Sequence, residues 1–239
     1  MRYIYGPVQS RRLGLSLGLT LTPYKTCSFN CVYCQLGKTT DLSALPKEYI
    51  PVHEILEEIR TWLQNNTADA QKLNYITFSG SGEPTLNARL GNLIAEIKKI
   101  ISTPVAVITN ASLLSLPSVR QALLGADLIV PSLDAVTPEV FQEIDRPDPS
   151  IKVEDVIAGL IRLRQEFKGQ IWLEVMLVRG VNDDLRQIKK LKKTVDEINP
   201  DKIQLNSPVR TTSDPGVLPV DKEKLEKIRE ILGEKCEII

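Results

Sequence analysis

The sequence is short of the residues that would point to several common protein classes. Its 239 residues include one histidine and four cysteines. Lysine plus arginine number 30, as do aspartate plus glutamate, so the formal net charge is zero. The basic excess that usually accompanies phosphate binding is therefore missing, which removes the simplest argument for a nucleic-acid partner.

Long hydrophobic runs are missing as well. No apolar stretch approaches the roughly 20 residues that a membrane-spanning helix needs, and the first residues, MRYIYGPVQSRR, contain no signal-peptide hydrophobic region. A secreted disulfide framework would use more cysteines, spread over a smaller chain. We therefore expect a cytoplasmic protein that has no membrane partner and works in a reducing compartment.

What is present is a regular alternation of short β-type runs with longer helix-type stretches. The predicted strands are 15–22, 73–79, 104–109, 127–133, 170–178 and 202–207, and the predicted helices are 51–66, 87–101, 117–124, 151–167, 184–198 and 221–232. This alternation predicts a parallel sheet with right-handed crossovers. The expected fold class is α/β, a partial (β/α)6 barrel, in a single core domain over residues 1–239 with short extensions at both ends.

One face of the predicted strands is repeatedly polar or small. The first strand alternates leucines with small or polar residues, and the fifth and sixth strands place Glu174, Met176, Gln204 and Asn206 on one face. A parallel sheet covered on both faces would be almost uniformly apolar. We infer that the apolar face meets the helices and the polar face lines a ligand cavity; an exposed antiparallel face, which alternates similarly, is the alternative.

Three of the four cysteines lie in the segment Cys27-Ser-Phe-Asn-Cys31-Val-Tyr-Cys34, directly after the first predicted strand. This is the carboxyl end of a strand, where active sites of barrels lie. Thiolates suit zinc or iron–sulfur clusters. Three cysteines would hold three irons of a [4Fe–4S] cluster and leave the fourth iron open; a zinc site completed by Cys236 or His53, or simply buried thiols, is the alternative.

The C-x3-C-x2-C spacing, with Tyr33 just before the third cysteine, resembles the radical S-adenosylmethionine (SAM) superfamily. The resemblance implies a [4Fe–4S] cluster on the three cysteines, after the first strand of a six-unit partial barrel, and SAM chelated by the open iron. It implies that one electron from the cluster cleaves SAM to a 5′-deoxyadenosyl radical, which the protein orients and protects. A one-electron donor, flavodoxin-like or ferredoxin-like, is the implied partner.

A second motif, Gly80-Ser-Gly82-Glu83-Pro-Thr, follows the second predicted strand and resembles the GGE motif of the superfamily, with a serine in place of the second glycine. Glycines let backbone approach a ligand, and a carboxylate suits the methionine ammonium. An ordinary turn before a helix is the alternative. By strand order, the resemblance assigns cofactor contact to the following residues: Tyr33, Gly80, Gly82, Glu83, Asn110, Ser132, Asp134 and Asn182.

Residues 6–14 and 34–37 resemble a group of small iron–sulfur oxidoreductases related to the wybutosine-synthesis tRNA enzymes. Only Cys236 is left over, so we expect no second cluster. The expected reaction is hydrogen abstraction from an unidentified substrate, with protein, peptide and RNA as candidates, in a cavity whose lower part is open. A zinc-bound scaffold and a sensor of iron or SAM are the alternatives. The candidate substrate residues are Arg11, Arg12, Glu174, Met176, Gln204 and Asn206.

Overall fold

The computed structural model describes all 239 residues and contains an eight-stranded sheet. The strand order is β1-β2-β5-β6-β7-β8-β9-β10, in which β1 is antiparallel to β2 and all the other neighbours are parallel. These strands are β1 (Ile4–Ser10), β2 (Gly14–Leu19), β5 (Tyr75–Phe78), β6 (Val105–Thr109), β7 (Leu128–Pro131), β8 (Gln170–Met176), β9 (Lys202–Asn206) and β10 (Cys236–Ile238). A separate two-stranded sheet pairs β3 (Thr26–Cys27) with β4 (Asp41–Leu42).

Helices connect the parallel strands. They are α1 (Val52–Asn65), α2 (Thr67–Ala70), α3 (Leu90–Ile100), α4 (Pro117–Leu123), α5 (Pro138–Ile144), α6 (Val153–Glu166), α7 (Leu185–Ile198) and α8 (Lys222–Leu232). None of them is both long and apolar enough to cross a membrane. Long α7 begins where Asp184 caps it, accepting hydrogen bonds from the amides of Arg186 at 2.8 Å and Gln187 at 3.2 Å.

The predicted (β/α)6 core is confirmed, and its six strands and six helices are all present. Six elements were not predicted: the sheet strands β1 and β10, the separate pair β3 and β4, and the helices α2 and α5. The helix predicted over 87–101 begins later than expected, because Pro84–Leu86 form a short 3-10 turn and α3 starts at Leu90. β1 and β10 extend the sheet to eight strands without changing the order of the six central ones.

Two apolar clusters lie on opposite faces of the sheet. Successive side chains of a strand point to opposite faces, and β6 divides accordingly: Val105 and Val107 belong to the large cluster of 56 residues that includes the buried residues of the helices. Ala106 instead joins a small cluster with Leu13, Leu128 and Val130. The small cluster therefore lies on the inner face of the barrel, near the amino ends of β6 and β7.

The turn between β1 and β2 fills this lower end of the barrel. Leu13 is 4% exposed and packs in the small cluster. Its neighbour Arg12 reaches across to β8, where its guanidinium pairs with the Glu174 carboxylate. The expectation that the lower part of the cavity is open is therefore wrong, because a hairpin that was not predicted occupies it.

Candidate active site

The three clustered cysteines lie on a loop above the carboxyl end of β2. We call residues 27–34 the cysteine loop. The pairing of β3 with β4 holds the base of this loop, since Thr26 and Cys27 lie opposite Asp41 and Leu42. All three cysteines are partly buried, and none forms a disulfide. The sequence therefore brings three free thiols to the end of the barrel where catalytic groups of such folds lie.

Residues 80–83, which we call the glycine loop, pack directly against the chain that leads into the cysteine loop. The Lys25 amide donates to the Ser81 carbonyl at 2.8 Å, and the Glu83 amide donates to the Thr26 carbonyl at 3.2 Å. A Cβ atom at Gly82 would lie 1.9 Å from that same Thr26 oxygen, so no larger residue fits without displacing backbone. Gly80 has a φ of +71°, which glycine adopts at little cost. The two loops thus form one packed unit.

Glu83 is buried, and its carboxylate accepts four hydrogen bonds from the protein. One oxygen accepts the Thr85 amide at 3.0 Å and the hydroxyls of Thr85 and Thr109 at 2.6 Å each, and the other accepts the Asn110 amide at 2.8 Å. Burial raises the pKa of Glu83, and these hydrogen bonds partly offset the effect. The geometry therefore indicates that Glu83 ties the glycine loop to the end of β6; direct contact with a ligand ammonium stays a prediction.

Two of the cysteine sulfurs accept hydrogen bonds from nitrogen donors. The Asn110 side-chain amide lies 3.6 Å from Cys27 Sγ, and the Lys25 ammonium lies 3.1 Å from Cys34 Sγ. Cys31 Sγ instead donates to Asp145 at 3.6 Å. N–H donors around thiolate sulfurs are the surroundings by which proteins tune iron–sulfur clusters. The donor set thus fits a cluster with three thiolate ligands.

Burial disfavours the thiolate form of two of the cysteines, Cys27 and Cys31. Burial raises the pKa of Cys27 to about 12, with a smaller contribution from Glu83, and burial together with Asp145 raises the pKa of Cys31 well above its usual value. Metal binding releases protons from such ligands because the cation stabilises the deprotonated form. We expect metal uptake by this loop to be coupled to loss of these protons.

A buried acidic pair lies beside the cysteine loop. Asp134 accepts the Tyr33 hydroxyl through one oxygen and the Met176 amide, at 2.8 Å, through the other. Burial raises the pKa of Asp134 to about 7, and burial together with Asp134 raises the pKa of Asp145. A small cavity here brings together four predicted cofactor residues, Tyr33, Asn110, Ser132 and Asp134.

Asn182 is the predicted cofactor residue that the structure places differently. It is 3% exposed, and its amide donates to the carbonyls of Asp134 and Met176 at 2.8 Å each. Its oxygen accepts the Val178 amide at 2.7 Å. The side chain therefore orders the loop after β8, and contact with a cofactor stays a prediction.

The predicted substrate residues lie in different surroundings. Arg12 and Glu174 pair with each other, and Asn206 donates to the second Glu174 oxygen at 3.4 Å. Gln204 is fully buried and donates to Glu237 at 3.1 Å, whereas Arg11 is exposed to solvent. Met176, on the same face as Glu174, is half-buried. The alternation of polar and apolar residues therefore identified the inner face of the barrel, but the Glu174 carboxylate on that face already pairs with Arg12.

Sequence reasoning missed three residues of this region: Lys25, Asp145 and Tyr5. The Tyr5 hydroxyl hydrogen-bonds Ser79 and accepts the Gly80 amide at 3.1 Å. Its ring lies over Gly18, where a Cβ atom would be 2.0 Å from the ring. Only Lys25 carried a sequence signal, as a cation two residues before the first cysteine.

The two residues considered as a fourth zinc ligand do not join the cysteine loop. Cys236 is 5% exposed in β10, at the far edge of the sheet, where it lies opposite Ile203 near the start of β9. His53 is exposed on α1. No group of three or more His, Cys, Asp or Glu side chains is placed to hold a single metal ion. Ligands of a cluster can stand further apart, because each thiolate binds a different iron.

Comparison with known proteins agrees with this geometry. Residues 21–192 match the family model described as Radical SAM superfamily. A Brachyspira hyodysenteriae protein named GTPase Obg is 43% identical over 98% of this chain and 34% of its own length, so the chain spans about a third of that relative. A UPF0026 protein of Methanocaldococcus jannaschii is 34% identical over 98% of this chain and 72% of its own length.

A solved structure shares the fold. TYW1 with a lysine–pyruvate adduct bound superposes with a TM-score of 0.64 at 21% identity, covering 91% of this chain and 72% of that one. At this identity the likeness concerns the fold alone, whereas the family match covers both the cysteine loop and the glycine loop. The chain is therefore a radical SAM enzyme, a member of the Radical SAM superfamily and of the UPF0026 family.

Proposed function

We propose that the chain binds one [4Fe–4S] cluster through Cys27, Cys31 and Cys34 and uses it to generate a radical from SAM. The observation that carries this proposal is the packing of the cysteine loop against the glycine loop, with nitrogen donors directed at two of the sulfurs. When bound, the cluster supplies the electron that cleaves SAM to a 5′-deoxyadenosyl radical, which abstracts hydrogen from a substrate.

The protein's own part is to hold the two loops in register. Glu83 links the glycine loop to the amide of Asn110, whose side chain in turn reaches Cys27 Sγ. The glycine loop is the proposed contact for the methionine part of SAM, because glycines such as the partly buried Gly80 and Gly82 let backbone approach a ligand closely. Ser132 and Asp134, in the adjoining cavity, are the proposed contacts for the rest of the cofactor.

The substrate reaches the site from the carboxyl ends of the strands or from the open side of the barrel. Entry from the lower end of the barrel is blocked, because Leu13 and Arg12 fill it. Protein, peptide and RNA remain the candidate classes, and a flavodoxin-like or ferredoxin-like protein is the proposed electron donor.

The proposal is tested by anaerobic reconstitution with iron and sulfide, followed by dithionite and SAM. The measurements are iron and zinc per chain and 5′-deoxyadenosine by mass spectrometry. We expect about four irons per chain and cleavage of SAM. One zinc with no cleavage would favour the scaffold, and iron with bound but uncleaved SAM would favour the sensor.

A matched pair of cysteine variants tests the ligand assignment. Cys31→Ala should lose the electron paramagnetic resonance signal of the reduced cluster. Cys236→Ala also removes one thiol, but at the far edge of the sheet, and should keep about four irons and the full signal. A full-strength signal in Cys31→Ala would sink the assignment.

A further inference from the structure

Lys25 is a buried cation whose partner is a sulfur. Its residue is 3% exposed, and its ammonium donates to Cys34 Sγ at 3.1 Å. No carboxylate lies within ion-pair distance of it. The nearby acids are used elsewhere: Asp41 accepts the Thr26 hydroxyl, and the Glu83 oxygens accept four protein donors.

A buried ammonium without a counter-charge is costly. Thiolate ligation would supply the missing negative counter-charge, since each cysteine ligand contributes one negative charge. The ammonium therefore lies against the sulfur of one proposed cluster ligand, Cys34.

The backbone holds Lys25 in an unusual conformation. Its φ is +59°, in the left-handed region that lysine rarely adopts. Its amide donates to the Ser81 carbonyl, and its own carbonyl accepts the amides of Thr40 at 3.1 Å and Asp41 at 3.2 Å. Backbone strain of this kind persists where surrounding contacts enforce it, and it concentrates at functional sites. The hydrogen bonds to Ser81 on one side and to Thr40 and Asp41 on the other thus hold the Lys25 backbone in this conformation.

We propose that Lys25 raises the reduction potential of the cluster. The proposal rests on the function proposed above. In the step concerned, one electron from an external donor converts [4Fe–4S]2+ to [4Fe–4S]+, with no bond formed and no proton taken up. The added negative charge lies beside a fixed positive charge and a sulfur hydrogen bond, both of which stabilise the reduced state. Lys25 is a positioning and charge-compensating residue, and it touches a ligand sulfur without being a ligand.

The test is a redox titration of the reconstituted full chain, followed by electron paramagnetic resonance, after iron and sulfide have been counted. Lys25→Met removes the charge and the donor at similar length, and Lys25→Arg keeps both. At the potential where half of the wild-type cluster is reduced, we expect the ratio of reduced to oxidised cluster in Lys25→Met to fall about tenfold, a shift of ~59 mV for one electron. Lys25→Arg should titrate close to wild type.

Lys38→Met is the matched control, because Lys38 is an exposed lysine just after the cysteine loop. Its cluster should titrate as wild type. An unchanged midpoint in Lys25→Met, or an equal shift in Lys38→Met, would overturn the proposal. If Lys25→Met binds no iron, Lys25→Gln takes its place, and a midpoint equal to that of Lys25→Arg would overturn it.

Loss of the cluster in all three Lys25 variants would also count against the proposal, since Lys25 would then serve assembly instead of potential. A wild-type chain without about four irons would refute the proposed function itself. That result is separate from a change of midpoint in an intact cluster.

Discussion

The buried carboxylate of Glu83 has two proposed roles, which are to order the glycine loop and to bind the methionine ammonium. Glu83→Gln tests them, because it keeps the shape of the side chain and removes its charge. The three donors to one oxygen would bond to a neutral amide oxygen, and the Asn110 amide would face an NH2 group where it now donates at 2.8 Å. Hydrogen bonds to charged groups contribute about 1.5–3 kcal/mol against about 0.5–1.5 for neutral ones. An unsatisfied buried donor costs a further 1–3 kcal/mol, roughly.

These losses are partly offset, since the raised pKa of Glu83 indicates that its buried charge is itself disfavoured. We therefore expect the free energy of unfolding of the metal-free protein to fall by about 2 kcal/mol, measured by urea denaturation with circular dichroism under reducing conditions. Glu57→Gln, at an exposed position on α1, is the control and should stay within about 0.5 kcal/mol of wild type.

Thr109→Val then distinguishes ordering from direct binding. This variant removes one donor to Glu83 and leaves the carboxylate in place. If Glu83 acts by ordering the glycine loop, both variants weaken SAM binding to the cluster-loaded enzyme in calorimetry. If the carboxylate binds the methionine ammonium itself, Glu83→Gln alone weakens it. Wild-type stability together with wild-type SAM affinity in Glu83→Gln would refute both interpretations.

Three further predictions concern neighbouring parts of the site. Tyr5→Phe should weaken SAM binding several-fold with unchanged iron content, and Gly18→Ala should reproduce the effect by displacing the ring; a normal affinity in both would exclude a role for this contact. Arg12→Met leaves Glu174 buried without its charged partner and should lower the free energy of unfolding, measured by urea denaturation, by about 2 kcal/mol; an unchanged free energy would mean that the pair is not formed in solution. Because burial raises the pKa of Asp134 from 3.8 to about 7, the folded chain keeps a proton that the unfolded chain releases at lower pH. The free energy of unfolding of the metal-free protein should therefore fall as the pH rises from about 4 to 7, and an equally steep fall in Asp134→Asn would contradict the assignment.

The central fold was predictable because its signals are local. Hydrophobic periodicity and strand–helix alternation are visible within each segment, and they placed all six central strands. The missed elements lack such signals. Gly6 and Pro7 interrupt β1, and β10 is only three residues long, so its place in the sheet depends on pairing with β9.

The site was predictable in its motifs and not in their connections. The cysteine and glycine loops are contiguous in sequence, and the strand order brought Asn110 and Asp134 near them. The contact between Tyr5 and Gly80 spans 75 positions, that between Cys31 and Asp145 spans 114, and that between Arg12 and Glu174 spans 162. Each depends on how the sheet brings distant segments of the chain together, which no local pattern encodes.

Those connections make the two loops one physical unit. One path runs from Glu83 through the Asn110 amide to Cys27 Sγ, and another runs from the Ser81 carbonyl through Lys25 to Cys34 Sγ. Residues that share a hydrogen-bond network are coupled energetically. The loop proposed to bind SAM and the sulfurs proposed to bind the cluster are therefore held at a fixed separation by the protein, before either group is bound. Such preorganisation lets the cost of ordering be met during folding, so that less of the binding free energy is lost when the cofactor enters.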